Sequence, residues 1–297
     1  MNEKTAQFSL RGLFQPRDLT EGTPWKTILA FALPIIISYL LQQVYTISDA
    51  AIVGQTLTAG EVAGVNDTTS IIFIFLQFAF GVSAGFCVVT AAEVGAHHEA
   101  GVRRSLAAQI LLSAALTVLL TGLALLLLKP MLAWINVTPE SPEVYRAAHT
   151  YCAIIFAGIG AQLFYNFICS FLRSMGDSVT PLLFLLFSTI LNIGLDLLFI
   201  VSFHWGVAGA AIATVAAQLI STVACFIYAF AKYPQLRLHR EHMQITRGDI
   251  RRHVVQGVPL GLQFSVLAIG IIVMQSVVSV MTAGMNGILI AFSQTAV

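Results

Sequence analysis

The feature that most constrains this chain is a run such as Leu106–Leu128, LAAQILLSAALTVLLTGLALLLL, in which 23 residues pass without an Asp, Glu, Lys or Arg. At 1.5 Å per residue such a run spans the hydrocarbon of a bilayer as a helix, whereas a membrane β-strand needs only about 10 residues. Comparable runs recur along the chain. The spacing predicts spans at roughly 28–53, 68–92, 106–128, 147–172, 179–203, 205–231 and 254–284. Residues 285–297 read as the start of an eighth. The expected fold is all-α, a polytopic transmembrane helix bundle: a six-helix lobe plus one to two helices of a second, parallel repeat. The repeat is read from ALPIIISYLLQQ at the start of span 1 and GVPLGLQFSV at the start of span 7. Each carries a proline in its first turn, and an even number of spans separates them.

The domain reading follows from these runs. Residues 1–27 form a charged N-terminal segment in which FSLRGLF (8–14) is a short candidate surface helix. Residues 28–231 form the six-helix lobe, 232–253 a basic interlobe loop, and 254–297 an incomplete second lobe. Of the 297 residues 57% are hydrophobic and 10% charged, against about 25% charged in soluble domains. The net charge of +1 gives no reason to expect a nucleic-acid partner. Every Lys and Arg except Lys129 and Arg146 falls in the N-terminal segment or in loops after spans 2, 4 and 6. The positive-inside rule makes that side, and the N-terminus, cytoplasmic, in a multi-pass protein of the cell membrane. Cys87, Cys152, Cys169 and Cys225 lie inside apolar runs without metal spacing and read as packing residues. His97 and His98 read as solvated loop residues.

Two acidic residues stand apart because they fall inside spans: Asp49 in span 1 and Asp196 in span 5. A carboxylate at membrane depth costs at least ~2.5 kcal/mol, and no Lys or Arg lies deep in a span to offset it. Asn192 precedes Asp196 by four residues, so the two share a helix face. Gln42, Tyr45 or Thr46, and Asp49 make a polar stripe in span 1. Thr214, Gln218 and Ser221 make another in span 6. Oxygen ligands from Asp49, Asn192, Asp196 and Thr214 would suit Na⁺ or relay H⁺, which points to ion-coupled transport. Motifs for covalent catalysis, phosphate loops and zinc sites are missing, so an enzyme is not expected; no organic cofactor is implied.

At LRSMGDSVTPLLFLLFSTILNIGLDLLFI (Leu172–Ile200) the chain resembles the multidrug and toxic compound extrusion (MATE) family, which shows an LRGxGDxxxP turn followed by a helix bearing NxxLD. GVAGAAIATVAAQ (206–218) and YTISDAAIVGQ (45–55) are similar to that family's next helix and first helix. The resemblance implies twelve helices in two lobes, monomeric when full length. It also implies alternating access and export of amphiphilic or cationic small molecules driven by H⁺ or Na⁺. The family's amino-lobe cation site maps onto Asp49, Asn192, Asp196 and Thr214. Gln42, Tyr45 and Gln218 are the expected lining of the substrate cavity. Ser174 departs from the usual glycine, and most of the second lobe is absent, so the chain reads as a truncated transporter. The alternatives are a lipid-linked precursor flippase of the same superfamily and an inactive membrane fragment.

Overall fold

A computed structural model describes residues 23–233 and 245–295, and the 8–14 candidate helix lies outside them. The chain is helical throughout these residues. The helices are α1 (Pro24–Thr56), α2 (Ala59–Gly95), α3 (Glu99–Leu126), α4 (Leu128–Trp134), α5 (Pro142–Ala157), α6 (Ile159–Ser174), α7 (Val179–Asp196), α8 (Gly206–Lys232) and α9 (Arg247–Thr295). A short π-helical segment, Leu197–Ser202, continues α7. Six of these helices are long and apolar enough to cross a membrane, and the α5–α6 pair, bent by 45°, makes a seventh crossing if taken as one span.

Several loops expected from hydropathy are helical, and capping chemistry explains why. The polar stretch 54–67 shrinks to a turn because Thr58 caps α2. Its hydroxyl accepts from the Glu61 backbone N–H, while the Glu61 carboxylate accepts from the Thr58 N–H at 3.1 Å. Such a reciprocal box satisfies two of the four free N–H groups at a helix start. Thr246 and Asp249 do the same for α9. That helix therefore begins at Arg247, inside the stretch expected to be interlobe loop, and it runs unbroken to Thr295 rather than stopping near Gly284. Between α2 and α3 only residues 96–98 leave the helix, with exposed His97 at φ +52°. The α5–α6 bend falls at Gly158, where a Cβ would collide with the Val215 side chain of α8.

With lipid tails as apolar as leucine, close packing rather than hydrophobicity holds such helices together. Here α2 is the hub, touching α5, α6 and most extensively α9, while α8 packs on α5, α6 and α7, and α1 lies mainly against α7. One buried cluster gathers Phe167, Phe171, Leu172 and Cys225; a second gathers Leu132, Ala148, Cys152 and Phe156. All four cysteines are buried and free. The α2–α9 seam is made by two G-x-x-x-G pairs. A Cβ on Gly85 would sit 2.6 Å from the Gln256 carbonyl oxygen, one on Gly81 2.7 Å from that of Leu260, and Gly257 and Gly261 face Phe86 and Val82 in return. Beside the seam His253, 1% exposed, ties α9 to α3. Its Nδ1 donates to the Asp249 carbonyl at 2.8 Å, which leaves Nε2 to accept from Ser105 at 2.8 Å. Ser105 in turn meets Thr90 at 2.8 Å, and Gln109 bonds both.

The turn before α7 is locked by Asp177. Its carboxylate, 3% exposed, accepts from the Thr180 N–H at 2.9 Å, the Thr180 hydroxyl at 2.7 Å, Tyr233 at 2.7 Å and Lys232 at 2.9 Å. This clasp fastens the start of α7 to the end of α8. Burial pushes the Asp177 carboxyl up, but the bonds from Tyr233, Lys232 and Thr180 outweigh it and hold the group below its ordinary value. A depressed carboxyl adds stability that is fully present above the unfolded value of ~3.9 and is lost as pH falls through the lower folded one.

Two outcomes are expected. Asp177→Asn should cost about 1.5–3 kcal/mol, the worth of charge-assisted hydrogen bonds, and should remove the clasp's share of the acid loss; thermal melts in detergent between pH 3 and 7 read both. Gly85→Leu should cost about 1–3 kcal/mol in the same melts by forcing the α2–α9 seam apart. Gly122→Leu, where a Cβ has open space, should be near neutral.

Candidate functional site

Four helices converge on the two membrane-depth aspartates. On α1 the packed face runs Pro34, Ser38, Leu41, Tyr45, Asp49 and Ile52, every third or fourth residue. This places Tyr45 and Asp49 inward. Gln42 and Thr46 fall one position off that face and are exposed, with the Thr46 hydroxyl donating back to the Gln42 carbonyl at 3.0 Å. On α7, Asn192 and Asp196 are both 0% exposed. Asp196 is the last α-helical residue before the π segment, whose wider winding is frequent at functional sites.

The Asp49 and Asp196 carboxyls come within hydrogen-bonding reach of each other. Tyr45 reaches Thr214 on α8 and lies beside both aspartates. Tyr151, from α5, lies within electrostatic range of Asp49, Tyr45 and Asp196. The structure thus brings together Asp49, Asp196, Tyr45 and Thr214, with Asn192 one turn below Asp196. Gln218 lies one turn from Thr214, buried, while Gln42 stays outside. Tyr151 was missed by sequence reading because its hydroxyl belongs to neither polar stripe. The signal available was a tyrosine opening an apolar run, where the hydroxyl needs a partner.

The charge balance of this group is unusual. Among the described residues the ion pairs involve Glu93, Glu99 and Asp177, never Asp49 or Asp196. Buried atoms that no protein partner satisfies by ordinary hydrogen-bond geometry include Asp49 Oδ1, both Asp196 oxygens, both Asn192 amide atoms and Thr214 Oγ1. A buried polar atom left unmet costs about 1–3 kcal/mol. Two touching carboxylates cannot both hold their charge unless a proton or a cation stands between them. The orphaned oxygens therefore fit a proton or a hard, oxygen-loving cation. Among the described residues no three His, Cys, Asp or Glu side chains gather, so any further ligands at the pair are neutral.

A separate open cleft of about 470 Å³ is lined by Glu61, Glu143, Arg146, Thr150 and Trp205. It contains none of the residues expected from the sequence.

Comparison with known proteins agrees with this architecture. The family model MatE matches residues 34–198. The "Probable multidrug resistance protein YpnP" of Bacillus subtilis (strain 168) is 30% identical over 88% of this chain and 58% of its own length. The "Probable multidrug resistance protein NorM" of Thermotoga maritima is 24% identical over 85% of this chain and 54% of its own. Among solved structures, one described as the outward-facing conformation of a multidrug resistance MATE family transporter of the MOP superfamily superposes with a TM-score of 0.78 at 24% identity, over 86% of this chain and 56% of that one. A MOP superfamily transporter from Pyrococcus furiosus superposes at 0.77 and 23% identity, over 87% and 57%. The model match spans more than half of the residues, and the chain belongs to the MatE family, as a multi-pass helical membrane protein. It spans about half the length of the curated relatives it matches.

Neutralising the pair should relax the fold rather than harm it. Asp49→Asn and Asp196→Asn are each expected to raise stability by ~1–2 kcal/mol, as removal of functional strain does. Detergent melts check this; a lower melting temperature would make the carboxyls structural partners instead.

Proposed function

We propose that the chain is the amino-terminal lobe, with the opening helix of a second, of a cation-coupled antiporter in the cell membrane. The exported class is amphiphilic or cationic small molecules, a reading supported by the multidrug resistance named for several relatives. The coupling ion is H⁺ or Na⁺, carried as cargo by Asp49, Asn192, Asp196 and Thr214. The observation that carries this reading is the Asp49–Asp196 contact: two carboxyls in touch, no base beside them, neutral oxygens around. Such a pair binds a proton or Na⁺ in one conformation and releases it in another. By linkage each state then has a different affinity for a cationic substrate. When emptied, the pair presents negative charge that attracts that substrate. Tyr45 adjoins the pair and belongs to the substrate path, and exposed Gln42 lines the side of the cavity that a second lobe would close. The Lys and Arg bias puts the N-terminus in the cytoplasm, and the full-length protein acts as a monomer.

The test is reconstitution into lipid vesicles with a fluorescent cationic dye under separate pH and Na⁺ gradients. Dye movement or binding is expected to follow one of the two gradients, and Asp196→Asn is expected to reduce it to the level of empty vesicles. Wild-type behaviour from Asp196→Asn, or a dye response to neither ion, would overturn the proposal.

A further inference from the structure

The unsatisfied polar atoms do not stop at the aspartates. Ser188, Asn192 and Asp196 recur every four residues on α7, and Thr214, Gln218 and Ser221 recur on α8. At about 100° per residue each set falls within about 80° of arc, so each helix presents one continuous polar stripe. α7 and α8 run antiparallel and pack against each other. Both stripes therefore descend from the aspartate pair toward the end that carries Arg173 and Lys232.

These side chains are deeply buried. Ser188 is 1% exposed, Asn192 and Ser221 0%, and Gln218 6%. Yet no protein donor or acceptor reaches Ser188 Oγ, either Asn192 amide atom, Gln218 Oε1 or Ser221 Oγ. This does not follow from a shortage of acceptors. A helical hydroxyl ordinarily bonds the carbonyl one turn back, and the immediate neighbours on these helices do so: Thr189 to Leu185 at 2.8 Å and Thr222 to Gln218 at 2.7 Å. Ser38 and Ser83 behave likewise. Ser188 and Ser221 depart from that habit, one on each stripe. An orphaned hydroxyl beside an orphaned amide, repeated along two facing helices, is what a passing polar guest requires.

Resting on the reading of Asp49 and Asp196 as the cation site, we infer that Asn192, Gln218, Ser188 and Ser221 form a hydrated file between α7 and α8. Along it the coupling ion leaves the aspartate pair toward the basic end of the lobe. The file covers about 12 Å along α7 and about 10 Å along α8, at 1.5 Å per residue. Its oxygens and amide hand the ion from one turn to the next, with water filling the remaining coordination. Below Ser188 and Ser221 it meets the buried cluster of Cys169, Phe171 and Cys225, with Phe184 packed alongside. That apolar plug closes the file at its basic end, so ion release there requires these side chains to part. The file thus names an exit for the ion distinct from the substrate's path, which keeps the two from competing for one route.

The test follows deuteration of the aspartate carboxyls by infrared spectroscopy on the full chain in lipid vesicles, at a pH acid enough to protonate them. Asp196→Asn first identifies the band. Combined Ser188→Ala, Gln218→Leu and Ser221→Ala is expected to slow exchange of that band about tenfold, the factor given by ~1.4 kcal/mol of added barrier. Ion affinity at the pair should stay as in the wild type. Ser188→Ala and Ser221→Ala alone, each without bulk, should slow it by smaller factors, which guards against misfolding of the triple variant. Thr189→Ala with Thr222→Ala, on the same helices but off the file, should exchange at the wild-type rate. Wild-type exchange in the triple variant, or equal slowing in the Thr189 and Thr222 control, overturns the file while leaving the cation site standing. No carboxyl band lost in Asp196→Asn overturns the cation site, and the file with it.

Discussion

The lobe is arranged around a repulsion. Asp49 on α1 and Asp196 on α7 meet in the interior without a base between them. In a low-dielectric interior that contact raises the energy of the empty, doubly charged state by far more than a typical hydrogen bond recovers. α1 gains little from the rest of the bundle, since it lies chiefly along α7. The way α1 sits on α7 is therefore sensitive to the charge state of those two carboxyls. Tyr45 and Thr214 bring hydroxyls to the pair, which can tolerate either charge state because a hydroxyl donates or accepts.

The opposite end of the same helix shows what a settled carboxylate looks like. Asp177 is buried almost as deeply, but it receives four hydrogen bonds, one of them from Lys232. Nothing is left for a guest to satisfy. α7 thus begins on a carboxylate with a full complement of donors and ends on one without any ordinary donor. Burial alone does not distinguish these two carboxylates; the number of satisfied lone pairs does.

Asp49, Asn192 and Asp196 could be read from the sequence because a carboxylate inside an apolar run has so few physical excuses. Helical spacing then found Thr214 and Tyr45. Periodicity could not tell that Gln42 sits one residue off the packed face of α1, since three- and four-residue steps both suit a helix. Tyr151 stayed hidden because polar residues of its helix, Glu143, Arg146 and Thr150, line a different cleft. The turn before α2 was misjudged as a long loop, and the start of α9 was placed too late, for a different reason. Hydropathy averages over windows, whereas a Thr58–Glu61 or Thr246–Asp249 cap acts over four residues. The partnership of Gly81 and Gly85 with Gly257 and Gly261 depends on which helices touch, which no single stretch of sequence encodes. The unmet hydroxyls of Ser188 and Ser221 are likewise visible only beside the satisfied ones of Thr189 and Thr222.

Mechanically, α7 is a cantilever. The Asp177 clasp embeds one end in α8. The other end, about 27 Å away over its 18 residues, passes at Asp196 into loosened π winding. A beam held this way converts a small force at its tip into the largest displacement the beam can make, and leaves its root still. On the proposed function, loading or unloading one charge at Asp196 would be such a force, moving the tip against α1 while the root keeps the α7–α8 register.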